Sequence, residues 1–212
     1  MKKISILLAD DHPITRAGIR ATLEQADDIE ILGEAENGAD VIDQVRKLRP
    51  QILLLDLVMP GPHPAEIEKW VRENYPETIT LVLTSHDRDV YLAGMMDAGA
   101  SGYMRKDVSS ERLIGAIRRA AQGEILFDIV QQTRANQWRK DIGKKLKQLT
   151  GREREVLELV AKGMDNQSIA INLGISLKTT SFHITNLLSK LQLKSRQEAA
   201  IWAVKHLSDD PE

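Results

Sequence analysis

Five apolar, strand-like runs, each followed by a segment of helical periodicity, constrain this chain more than any other feature. Ile4–Ala9, residues 29–34, Ile52–Leu55, Ile79–Thr84 and residues 101–105 read as strands, mostly bounded by turn formers. Residues 13–25, 39–47, 64–74, 87–98 and 109–122 read as helices. Strands separated each time by a helix run parallel, and the crossovers lay helices on both faces of the sheet. The run Ile52-Leu53-Leu54-Leu55 has no polar alternation, as a central strand buried on both sides requires. The predicted fold class is therefore α/β, a doubly wound parallel sheet of five strands. Such sheets bind ligands beyond the carboxyl ends of their strands.

After Gly123 the strand signals stop. Residues 123–147 read as a linker, partly helical, in which 128–140 carry only a thin apolar stripe of Ile129, Thr133 and Trp138. From Leu149 the pattern is all helix. Thr150-Gly151-Arg152-Glu153 and Ser195-Arg196-Gln197-Glu198 both fit the capping box, with Asp165 and Ser176 as caps between them. Gly163 and Gly174 fall where helix ends need a left-handed residue. Residues 148–212 are thus expected to form a small all-α bundle of four helices, and residues 1–122 the α/β domain. The last helix, read over residues 197–207, carries Ile201, Trp202 and Val204, which either complete the bundle core or face a second copy.

Composition narrows the setting. The 212 residues include no cysteine, which removes disulfides and thiolate-bound metals. The apolar run near the amino terminus is too short for a signal peptide and ends in two carboxylates, and nothing elsewhere approaches a membrane span. A cytoplasmic protein is expected. The formal charge of −2 argues mildly against a nucleic-acid partner, but Arg134, Arg139, Lys140, Lys144, Lys145 and Lys147 stand against the single Asp141 in one short stretch.

The chemistry concentrates at strand ends. Asp10 and Asp11 close the first strand, Asp56 the third and Thr84 the fourth, while Lys106 follows the fifth. Each alone is ordinary: an Asp after a strand usually caps or turns, and a Lys is a surface charge. Together they place three carboxylates at one rim, where mutual repulsion is relieved by a hard divalent cation such as Mg2+. A metal, a nucleophilic carboxylate, a hydroxyl and an ammonium are the parts required to receive a phosphoryl group.

With these residues in view, the first 122 positions resemble the receiver domain of bacterial two-component response regulators. The motifs are Leu8-Ala9-Asp10-Asp11-His12, Leu55-Asp56-Leu57-Val58-Met59-Pro60-Gly61, Val82-Leu83-Thr84-Ser85 and Gly102-Tyr103-Met104-Arg105-Lys106-Asp107. The resemblance implies a flavodoxin-like fold and Asp56 as acceptor of phosphate from a sensor histidine kinase. It implies Mg2+ bound by Asp11, Asp56 and the Val58 carbonyl, with Asp10 acting through water. Thr84 and Lys106 would hold the phosphoryl oxygens, and Tyr103 would turn inward as Thr84 moves. The chain departs at Pro64, where the family usually has glycine, a change expected to stiffen the loop. Val58, beside the path of water to the phosphoryl group, cannot orient an attacking water, so slow autodephosphorylation is expected.

The stretch from Leu149 to Trp202 resembles the LuxR-type helix-turn-helix of NarL/FixJ-type regulators. It is carried by Leu149-Thr150-Gly151-Arg152-Glu153-Arg154-Glu155-Val156-Leu157, Ile169-Ala170, Ile175-Ser176, Thr179, His183, Lys190-Leu191 and Arg196-Gln197-Glu198-Ala199. The resemblance implies that Leu177–Leu191 lies in the major groove of double-stranded DNA, with Ser181, Phe182 and Thr185 toward the bases. Lys178, Thr179, Lys190, Lys194 and Arg196 would meet phosphates. A basic residue is usual where Ser181 stands, and none of the three base-facing residues can make arginine's bidentate contact to guanine. Binding is therefore expected to be weak per monomer and to depend on a homodimer, formed on phosphorylation, or on the basic linker; RNA polymerase is a further possible partner. Two rival readings are a phosphohydrolase, which would carry a second Asp where Val58 stands, and a pure interaction protein.

Overall fold

The computed structural model describes residues 3–206, with side chains described through 203. They divide into two compact units, the first ending at Arg134 and the second beginning at Ala135. In the first unit β1 (Ile4–Ala9), β2 (Ile29–Ala35), β3 (Ile52–Leu55), β4 (Ile79–Thr84) and β5 (Gly102–Arg105) form one parallel sheet in the order β2-β1-β3-β4-β5. The order reverses between β1 and β3, and that crevice is where doubly wound sheets bind ligands.

Helices α1 (Pro13–Leu23), α2 (Gly38–Leu48), α3 (Pro64–Asn74) and α4 (Asp89–Ala98) are the crossovers, and α5 (Ser110–Ala120) follows the last strand. Alternation along the strands decides which face each covers. Ile6, Leu8, Ile52, Leu54, Leu81 and Leu83 meet Leu23 of α1 and Leu113 and Ile117 of α5 in one core. The residues between them, Leu7, Leu53, Leu55 and Val82, are equally buried on the opposite side, where α2, α3 and α4 pack in succession. At Pro64 the departure from the family pattern is accommodated: it occupies the first turn of α3, a position that needs no amide hydrogen, and Gly61 at φ 110 makes the preceding bend. Gly38 is confined more tightly, since a Cβ there would come within 2.8 Å of Ile67 Cδ1 and 3.0 Å of the Pro62 carbonyl.

The expected linker is largely helix. α6 (Ile129–Lys147) continues past residue 140 because Trp138, Ile142 and Leu146, at i, i+4 and i+8, pack into the core of the second unit. Its first turns belong to the other unit, where Gln131 Nε2 donates to the Tyr103 carbonyl at 2.8 Å.

The second unit also contains α7 (Gly151–Ala161), α8 (Asn166–Leu173), α9 (Leu177–Leu191) and α10 (Arg196–His206) around Val156, Leu157, Ile169, Leu187 and Leu191. Thr150 and Glu153 close the full capping box on α7, and Asp165 and Ser176 cap α8 and α9. Gly163 at φ 74 and Gly174 at φ 64 take the left-handed region, the latter turning α8 into α9 within three residues. Ser195 caps the Glu198 amide, but Glu198 reaches back to the Lys194 amide instead of the cap residue's own. Trp202 belongs to the bundle core, whereas Ile201 is 68% exposed. The side chain of Val204, and Leu207, lie outside the described residues.

Candidate functional site

Parallel pairing of β1 with β3 sets Ala9 opposite Leu55, so the residues that follow each leave the sheet at the same level. The Asp56 amide donates to the Ala9 carbonyl at 2.9 Å, and the Asp10 amide to the Ala35 carbonyl at 3.1 Å. Asp10, Asp11, His12 and Asp56 consequently each offer one ligand atom within 4.8 Å of the others. Thr84, fully buried at the end of β4, accepts at Oγ1 from the His86 amide, and its carbonyl takes the Lys106 amide at 2.9 Å. The geometric expectation from the sequence thus holds: residues 10, 11, 56, 84 and 106 converge at the carboxyl edge of the sheet.

Lys106 is the internal counter-charge. Its ammonium donates to Asp56 Oδ2 at 2.6 Å and lies 2.8 Å from Asp10 Oδ2. Burial opposes the charged form, yet the two carboxylates outweigh it and raise the lysine above its ordinary range. Lys106 therefore stays protonated, paired with two of the three carboxylates, while Asp11 lies against His12. Asp10 Oδ2, despite the ion pair, and Asp11 Oδ1, 2.6 Å from His12 Nδ1, accept no well-aligned hydrogen bond. Buried carboxylate oxygens left in this way are suited to a hard cation, and the three aspartates, with the His12 imidazole beside them and an open hollow lined by Asp11, Glu36, Asn37, Pro60 and Gly61, fit a partly hydrated divalent ion. Val58 lies two residues beyond Asp56, half-buried at the same rim. Tyr103 is already turned inward, 3% exposed, with its hydroxyl donating to the His86 carbonyl at 2.6 Å.

In the second unit the outward stripe of α9 is Lys178, Ser181, Phe182 and Thr185, with Phe182 62% exposed. Thr185 turns its hydroxyl back onto the Ser181 carbonyl at 3.0 Å, and Thr179 spends its own on Ser176. Lys194 is exposed. Two of the cations expected at phosphates are employed inside the unit. Lys190 grips the buried Glu153 carboxylate at 2.6 and 2.9 Å, and Arg196 donates to Asn166 Oδ1 and to the Met164 carbonyl. Sequence spacing gave no sign of these pairs, whose partners lie 37 and 30 to 32 residues away. Also unanticipated is Arg134 of α6, which meets Asp87 at 2.9 Å and Asp89 at 2.7 Å just beyond Thr84.

Comparison with known proteins agrees with this assembly of parts. Residues 6–118 match the model described as response regulator receiver domain, and residues 147–203 the model of bacterial regulatory proteins of the luxR family. The nitrate/nitrite response regulator protein NarL of Escherichia coli is 38% identical over 93% of this chain and 94% of its own length. The response regulator protein VraR of Staphylococcus aureus is 35% identical over 96% and 97%. Among solved structures, an RcsB–DNA complex superimposes with a TM-score of 0.62 at 26% identity over 98% of this chain and 100% of that one. The protein is a receiver joined to a helix-turn-helix. It belongs to the two-component response regulators with a LuxR-type DNA-binding domain, and its function is transcription regulation through that domain. No helix among the described residues is long and apolar enough to cross a membrane.

Proposed function

We propose that Asp56 is the phosphoacceptor of this regulator, supplied by a sensor histidine kinase. The observation that carries the reading is the convergence of Asp10, Asp11 and Asp56 within 4.8 Å, with Lys106 paired to Asp10 and Asp56. An Asp56 carboxylate oxygen attacks phosphorus, the bond to the imidazole nitrogen of the kinase's phosphohistidine breaks, and that nitrogen takes a proton from solvent as it leaves. Asp11, Asp56 and the Val58 carbonyl would hold Mg2+ with Asp10 behind water, and the ion would neutralise charge on the transferring oxygens. Thr84 and Lys106 then bind the phosphoryl group. Lys106 already touches Asp56, so it needs no large movement to do so.

The added charge gives Thr84 and Lys106 contacts that exist only in the modified state, and this biases the equilibrium toward it. Tyr103, inward here, packs beside Thr84 in that state. The domains take the bounds 1–122 for the phosphoacceptor, 123–147 for the linker and 148–212 for DNA binding. Lys178, Thr179 and Lys194 contact phosphates while Ser181, Phe182 and Thr185 face bases; the occupied Lys190 and Arg196 hold the fold that presents them. Homodimer formation follows phosphorylation, RNA polymerase is a downstream partner, and the chain works in the cytoplasm. Beyond its own phosphorylation from a phosphodonor and its autodephosphorylation it is not an enzyme: the second Asp of an aspartyl-phosphate phosphohydrolase is replaced by Val58.

Incubation of the full chain with acetyl phosphate and Mg2+, followed by intact mass and peptide mapping, tests the acceptor. One phosphoryl group on Asp56, lost in Asp56→Ala and with chelator, is the expected result; a label elsewhere sinks the reading. Genome-wide DNA capture with a phosphoryl mimic, against Asp56→Ala, tests the output. Sites enriched equally in both would show that Asp56 does not control binding.

A further inference from the structure

We infer that Arg16 is a positioning residue for the divalent-cation site, fixing the peptide plane from which Asp10 and Asp11 project. This rests on the acidic rim being that site. Arg16 sits on α1 with 8% of its surface exposed, an unusual burial for a cation. Its Nη1 donates to the Asp10 carbonyl at 2.6 Å, Nε to Glu34 at 2.7 Å and Nη2 to Glu36 at 2.5 Å. The Asp10 carbonyl belongs to the peptide bond that joins Asp10 to Asp11, so this one contact governs the orientation of both carboxylates. The other end of the residue is tied as well, because the Asp10 amide donates to the Ala35 carbonyl and Asp10 Oδ1 accepts from the His12 amide at 2.9 Å.

Glu34 and Glu36 flank Ala35 and hold the guanidinium against this peptide. Glu34 is itself clamped by Arg20 at 2.6 Å. Three acceptors in different directions require a planar fork, which a lysine cannot supply. Asp11 is the member of the acidic group that most needs such support: it ends no strand and its amide makes no hydrogen bond of the sheet.

The sign of the effect separates positioning from charge. Arg16 is a cation beside a cation site, so by electrostatics alone its removal strengthens divalent binding. If it positions the ligands, removal weakens binding in spite of the extra negative charge. Loss of a supporting outer-shell group lowers metal affinity about 10- to 100-fold.

Mg2+ affinity of the full chain, measured by calorimetry, provides the test, with Arg16→Met, Arg16→Lys and Arg20→Met compared against wild type. Arg20 shares Glu34 but does not touch the Asp10 carbonyl, so its variant controls for the stability of the α1–β2 network. The expected result is a loss of about tenfold or more for both Arg16 variants, including the charge-conserving lysine, and less than about threefold for Arg20→Met. Unchanged or tighter binding in Arg16→Met overturns the inference, as does an equal loss in all three variants. Arg16→Lys keeps the test decisive where the methionine variant fails to fold. A wild-type chain that binds no Mg2+ overturns the site itself, a result distinct from any ranking of the variants.

Discussion

Glu68 offers a quantitative test of how the first unit is built. It lies on α3 with 0% of its surface exposed, and neither of its carboxyl oxygens, nor the Thr80 hydroxyl on β4, makes a hydrogen bond of good geometry. Burial pushes the carboxyl from 4.5 up to about 7, against the opposing influence of Thr80 and Arg72. An acid whose pKa is raised on folding retains its proton where the unfolded chain has released it. Stability is therefore undiminished below the unfolded value, declines at about 1.4 kcal/mol per pH unit as pH climbs toward the folded one, and levels off above it. Over the interval from 4.5 to about 7 the decline is about 3 kcal/mol, a substantial part of the stability of an ordinary domain. Glu68→Gln has no proton to lose and is expected to remove this slope, and above neutrality to be about 2–3 kcal/mol more stable than its parent. Urea unfolding from about pH 5 to 8.5, a window that brackets the folded value, measures the difference when read from Trp70 emission in a Trp138→Phe, Trp202→Phe background. Stability profiles that run parallel for the parent and for Glu68→Gln across this window would refute the buried-acid account.

Three further outcomes follow from the geometry. Val58→Asn places an amide where a water could be oriented toward the phosphoryl group; aspartyl-phosphate lifetime should shorten on the order of tenfold, and equal lifetimes remove the idea. Lys190→Met strands the buried Glu153 carboxylate and should cost the second unit about 1–2 kcal/mol, less than a fully enclosed pair because the lysine is partly exposed. In a thermal melt, adding Glu153→Gln should recover part of that loss, and purely additive losses would mean the two do not interact. Arg134→Ala frees the first turns of α6 from Asp87 and Asp89, and amide exchange there should rise by about fivefold, as expected for a partly exposed ion pair; unchanged exchange would assign the anchoring to Gln131 alone.

The parts legible in the sequence were those written in neighbouring residues. Strand β3 announced itself by four consecutive apolar residues, and α9 by Ser176 at its cap, its span Leu177–Leu191 coming from the family resemblance. The acidic rim was legible because the end of a strand is a fixed place in a parallel sheet, so Asp10, Asp11, Asp56, Thr84 and Lys106 could be brought together by topology alone. What escaped was set by tertiary pairing. Arg16 reads as a surface charge on an amphipathic helix until Glu34 and Glu36, 18 and 20 residues later, are folded over it. Lys190 and Arg196 likewise read as free cations, since the groups that occupy them come from α7, from the α7–α8 turn and from the start of α8. The extent of α6 was missed because its first turns are held by the polar Gln131 and Arg134 while Ile129 and Val130 stay exposed, and its apolar packing, through Trp138, Ile142 and Leu146, lies in the second unit alone.

The hold of Gln131 and Arg134 on the first unit bears on how this regulator can be taken apart. A hybrid made by grafting a foreign output module after residue 122, where the strand pattern ends, would discard the turns that α6 anchors beside β5. A junction placed after Arg134 retains them, and with them the natural departure point of the helix. Domain shuffling among relatives would meet the same constraint, so viable recombinants should preserve this short helical stub together with the carboxylates that bind it.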